Sequence, residues 1–181
     1  MLGMVFTELL EMVETVFSPE VADRIIERAA VPHGGVYTAV GSYPHEELIR
    51  LVVALSVETG IPTDGLVRAF GTHLFHRFTA LYPSVFEGKN DLFALLEGLD
   101  SDIHVTVRRI YPNATLPRFH VASREPHRLL LAYESPRRME VLAEGLIEGA
   151  IAHFGGGYRM SWAEGSFDGR PAVIFDVEQQ H

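Results

Sequence analysis

The chain has 181 residues, 47% of them hydrophobic and 22% charged, which describes one ordinary globular domain able to bury roughly 70% of its unfolded surface without a disulfide or metal staple. Its 24 acidic and 15 basic residues leave a net charge of −9, which with no basic stripe argues against nucleic acid as a partner. The absence of cysteine removes thiolate nucleophiles, Cys-ligated zinc, iron–sulfur clusters, thiolate-ligated haem and covalent haem attachment.

The chain begins MLGMVFTELLEMVETVF, with no basic leader, and Glu8, Glu11 and Glu14 interrupt its apolar positions. It reads as neither a signal peptide nor a membrane span, so no membrane insertion and a cytoplasmic location are expected. Val5, Phe6, Leu9, Leu10, Val13, Val16 and Phe17 have helical spacing. Ser18-Pro19 reads as an N-cap followed by Pro at the first helical position of a second helix, running to about Ala30. Pro32–Gly35 is a loop, and Pro44 opens a third helix ending near Thr59, before Gly60 and Pro62. Thr63 or Asp64 caps a fourth, which Pro83 stops; Asn90 or Asp91 caps a short fifth containing Leu92–Leu99.

After Asp100 the texture changes. Pro112, Asn113 and Pro117 break the chain, and residues 118–124 and 127–134 read as a pair of strands. Residues 137–154 return to helix and stop at Gly155-Gly156-Gly157. Residues 158–164 and 171–177 form a hairpin around Asp168-Gly169. The expected class is α+β, a small antiparallel sheet packed on helices. A helical N-terminal subdomain spans 1–62 and a larger one 63–181.

The chemistry-bearing residues are few. His73 and His76 have a helical spacing compatible with one metal, but no third ligand lies nearby in sequence, and two ordinary histidines are the plainer reading. The triple glycine follows a helix rather than preceding one, so it is a stop and not a phosphate cradle. His104 sits between Ile103 and Val105; a neutral imidazole in an apolar wall suits a haem iron, but on this observation alone a satisfied half-buried histidine is the plainer reading. In Tyr133-Glu-Ser135-Pro-Arg137, alternate residues of an extended chain point one way. Two hydroxyls and a guanidinium then converge as they would on a pair of carboxylates. Locally, Ser135 could instead cap the helix that Pro136 opens.

These residues resemble the H-NOX family, the haem–nitric oxide/oxygen-binding domains of the bacterial stand-alone type. The likeness rests on Tyr133-x-Ser135-x-Arg137 downstream of His104, on Pro112-Asn-Ala-Thr-Leu-Pro117, and on Tyr82-Pro83-Ser84-x-Phe86. The resemblance implies an H-NOX-like fold with a four-stranded antiparallel sheet and non-covalent haem b. His104 would be the proximal iron ligand, Tyr133, Ser135 and Arg137 would hold the propionates, and Pro112 would press on the macrocycle. Where oxygen-binding relatives carry distal Tyr, Trp and Asn, this chain has Leu142, Leu9 and Leu74, and Val5, Phe78 and Leu146 complete an apolar wall. Tyr111 and Tyr158 are expected outside that pocket. A pocket without a donor disfavours superoxide-like bound dioxygen and spares nitric oxide and carbon monoxide.

The implied function is a nitric oxide sensor, not an enzyme. Nitric oxide breaks the bond to His104 and relays a shape change to a separate histidine kinase or cyclic-di-GMP enzyme. The competing reading is an oxygen-binding or catalytic haem protein, a peroxidase or nitric oxide dioxygenase, which would need distal polar groups.

Overall fold

The computed structural model describes residues 1–112 and 114–180; Asn113, read above as a turn residue, lies outside them. Five helices come first: α1 (Gly3–Val16), α2 (Pro19–Ala29), α3 (His45–Thr59), α4 (Thr63–Leu81) and the one-turn α5 (Pro83–Phe86). Then come α6 (Leu92–Glu97), a π-helical turn (Leu99–Ile103), α7 (His104–Ile110), strands β1 (Arg118–Glu125) and β2 (Arg128–Glu134), α8 (Glu140–His153), and strands β3 (Tyr158–Phe167) and β4 (Arg170–Gln179). Among the described residues no helix is long and apolar enough to cross a membrane.

The local signals act as their chemistry dictates at several boundaries. The Ser18 hydroxyl accepts from the Val21 N–H with Pro19 in the first turn, and Asp91 accepts from the Ala94 N–H at 2.8 Å. The expected cap of α4 differs: Pro62 occupies the N-cap, and neither Thr63 nor Asp64 caps with its side chain. At the start of α1, where the free N–H groups have no intrahelical partner, the loop before α3 supplies acceptors. Gly3 N donates to Gly41 O (2.8 Å) and Met4 N to Ala39 O (3.0 Å).

Two cores form. The first packs α1, α2 and α3 against Leu66, Phe70 and Leu74 of α4. The second packs α6, α8 and one face of the sheet, with Phe75 of α4. Helix α4 therefore serves both cores, and a boundary at residue 62 does not divide them. The sheet runs β1-β2-β4-β3, antiparallel throughout, with Tyr133 opposite Val173 and Leu131 opposite Phe175. Those four side chains are buried in the second core. Asp168 and Gly169, both at positive φ (48° and 73°), close the β3–β4 hairpin.

Helices α4 and α8 approach closely because glycine faces glycine. A Cβ on Gly71 would meet Leu142 O at 2.6 Å, and one on Gly145 would collide with the Arg68 carbonyl. The Thr72 hydroxyl donates across the seam to Gly145 O at 3.1 Å. Helix α1 is fastened to α4 by the Arg77 guanidinium, which donates to both oxygens of the buried Glu8 (2.6 and 3.2 Å).

Candidate functional site

Where the two cores meet, the structure encloses a cavity of about 250 Å³. Its walls come from the first turn of α1, the second half of α4, α6, the π-helical turn, α7, the segment 115–119, β2 and α8. His104, Tyr133, Ser135 and Arg137 all line it, as do Val5, Leu74, Phe78, Leu142 and Leu146. Residues separated by more than a hundred positions in sequence thus share one apolar hollow.

His104 opens α7 directly after the π-helical turn, a type of irregularity that frequently marks functional sites. Its Nδ1 lies 2.9 Å from Asp100 Oδ1, the only hydrogen-bond partner of the ring among the described residues. Burial pushes the imidazole below its ordinary pKa, and the Asp100 carboxylate partly opposes this. A neutral ring with Nδ1–H donating to Asp100 leaves Nε2 as a bare lone pair. The ring leans on Phe119, centroids 5.8 Å apart.

Tyr133 is the last buried residue of β2, and Ser135 lies just beyond the strand. Convergence with Arg137 is achieved by a turn rather than by a continued strand: Arg137 N donates to Ser135 Oγ at 3.2 Å. Helix α8 starts only at Glu140, so Ser135 closes this turn and does not cap the helix. The Arg137 guanidinium donates to Thr115 O at 2.6 Å, which fixes it beside the cavity. Burial pushes the Tyr133 phenol up, with the neighbouring Ser135 hydroxyl opposing.

The match to the haem–NO-binding family model runs over residues 2–161. The chain belongs to the H-NOX family. Among solved structures, the unliganded Fe(II) H-NOX protein from K. algicida is 31% identical, with a TM-score of 0.88 over 100% of this chain and 97% of that one. The S. oneidensis H-NOX protein in the Fe(II)NO state is 27% identical, with a TM-score of 0.88 and full coverage of both chains. The IWP-051-bound H-NOX from Shewanella woodyi in the Fe(II)CO state is 38% identical, with a TM-score of 0.84 over 99% and 94%. A comparison with curated proteins finds no match. The α+β architecture with a four-stranded antiparallel sheet is the fold of these H-NOX relatives.

Three expectations for this H-NOX domain need correction. Pro112 is exposed and outside the cavity lining; Pro117, five residues on, lines it. Ala114 N donates to Tyr111 O, and Pro112 lies at the surface. Leu9 is 1% exposed but packs into the first core with α2 and α3, because the cavity is reached by Val5 one turn earlier on α1. Tyr111 does line the cavity, with Tyr82 beside it, their hydroxyls 2.9 Å apart. Tyr158 stays outside, packed on Phe93.

The histidine pair of α4 is not joined by a third potential ligand among the described residues. His73 lies 3.7 Å from Glu8, and His76 packs on Phe75. The residues around the cavity do fit a haem. They offer one imidazole nitrogen free to ligate, an apolar enclosure for a flat macrocycle, and two hydroxyls and a guanidinium for its carboxylates.

Proposed function

We propose that this domain is a haem-based gas sensor that takes nitric oxide and carbon monoxide and excludes dioxygen. The observation that carries the reading is His104, tethered at Nδ1 by Asp100, in the same apolar cavity as Tyr133, Ser135 and Arg137. His104 would hold the iron through Nε2. Tyr133, Ser135 and Arg137 hold the two propionates, and Pro117 takes the place beside the macrocycle that the resemblance assigned to Pro112. With no cysteine in the chain, the group is non-covalent haem b. Haem held by these residues would supply an iron site for a diatomic gas.

The wall decides which gas is accepted. Bound dioxygen carries superoxide-like charge and needs a fixed donor in a dry site. Val5, Leu74, Phe78, Leu142 and Leu146 have none, and the hydroxyls of Tyr82 and Tyr111 are engaged with each other. A His104 free of the iron would make different contacts from a bound one, which is what any ligand-driven shift requires. The shift is read by a separate partner in the cytoplasm, a histidine kinase or a cyclic-di-GMP enzyme.

Haem reconstitution tests the site. The wild-type chain takes up one equivalent and gives a His-ligated ferrous spectrum. His104→Gly gives that spectrum only when imidazole is added back. An unchanged spectrum in His104→Gly without imidazole would place the axial ligand elsewhere.

A further inference from the structure

The helix that bears His104 is weakly anchored. None of the seven residues of α7 enters either core. Apart from the bond between His104 and Asp100, residues 104–111 make one side-chain hydrogen bond among the described residues: Tyr111 Oη to Tyr82 Oη, 2.9 Å. Tyr111 is the C-cap of α7, and Tyr82 is the C-cap of α4. The Tyr82 hydroxyl also donates to Met4 Sδ at 3.6 Å, in the first turn of α1.

A phenol has one proton to give. If Tyr82 gives its proton to the sulfur, the bond between the tyrosines must run from Tyr111 to Tyr82. The direction of the chain is then Tyr111 to Tyr82 to Met4, through three side chains that all line the cavity. An apolar surround strengthens such bonds and makes a broken one costly. Met4 is itself fixed, because its N–H donates to Ala39 O in the loop before α3. A pull on Tyr111 therefore has a continuous route to α1 and to that loop. The Arg77–Glu8 pair also joins α4 to α1, but does not touch α7.

We propose that the Tyr111–Tyr82–Met4 chain is the latch that positions the His104 helix and passes its displacement to α1; this rests on the sensor reading above. Tyr82 and Tyr111 are positioning residues, acting through α7 and α1.

Hydrogen exchange of the full chain, with and without haem, tests the latch. Without haem, Tyr111→Phe raises exchange in residues 104–111 about five-fold, the size of one net hydrogen bond. The Tyr82→Phe/Tyr111→Phe double variant is no worse there than Tyr82→Phe, because either change removes the same bond. Tyr158→Phe, outside the cavity, changes nothing in this segment. With haem, nitric oxide alters exchange in both 104–111 and 3–10 of the wild type. In Tyr111→Phe only 104–111 still responds. An α1 response as large as in wild type, or additive effects in the double variant, overturns the latch. No nitric oxide response at 104–111 in the wild type overturns the sensor reading instead, and the haem-free comparison still judges the latch. Tyr111→Phe keeps its ring and suffices alone if Tyr82→Phe does not fold.

Discussion

Asp100 stands one helical turn before His104 and holds its Nδ1 at 2.9 Å. A carboxylate in this position fixes the tautomer and raises the basicity of the other ring nitrogen. Asp100→Ala should therefore weaken haem retention about ten-fold or more, read by transfer to an apo-protein acceptor. It should also lower the iron–histidine stretching frequency. An unaltered frequency would show that the tether does not act on the ligand.

The apolar wall makes a converse prediction. Leu142 lines the cavity, and Leu142→Tyr would bring a hydroxyl to the stretch of wall formed with Val5, Leu74, Phe78 and Leu146. The ferrous variant should form a stable complex in air, visible as a shift of the Soret band, where the wild type forms none. A variant as indifferent to air as the wild type would mean that position 142 does not face the ligand.

The two prolines separate cleanly. Pro117→Ala should change the visible and resonance Raman signature of the bound haem, because its ring lines the cavity. Pro112→Ala should leave both unchanged, because Pro112 is exposed. The reverse outcome would restore the assignment of Pro112.

How much of this was legible in the sequence depends on the segment. The four longer N-terminal helices, the strand pairs and the Asp168-Gly169 turn carry strong local signals. Residues 99–110 do not. Ile103, Val105, Thr106, Val107 and Ile110 are β-branched, which lowers helix propensity, and Asp100 and Asp102 suit turns. The structure overrides this with a π-helical turn and α7. Within that helical segment the spacing of four puts Asp100 and His104 on one face. Tyr82 meets Tyr111 across 29 residues, and no local pattern encodes that. Pro112 and Pro117 are equivalent as letters, and no local pattern tells which one lines the cavity.

Acid should loosen the N-terminal half. Burial alone would raise the Glu47 carboxyl, but hydrogen bonds from His33 (2.7 Å) and Tyr37 (2.9 Å) more than offset this and hold it below the usual range. The folded value is thus lower than the unfolded one. Its stabilising contribution is full above about pH 4.5 and is lost as pH falls through the folded value. Glu47→Gln should melt lower than wild type at pH 7, with the gap narrowing below about pH 4.5. A gap that stays constant to pH 3 would contradict the assignment.

The most direct test of the central claim is the absorption spectrum of the ferrous haem-loaded protein, recorded without oxygen, then in air, then with nitric oxide. A five-coordinate His-ligated species, unchanged in air and converted by nitric oxide to a five-coordinate nitrosyl without histidine, is the predicted result. A stable dioxygen complex, or a nitrosyl that keeps His104 bound, would contradict it.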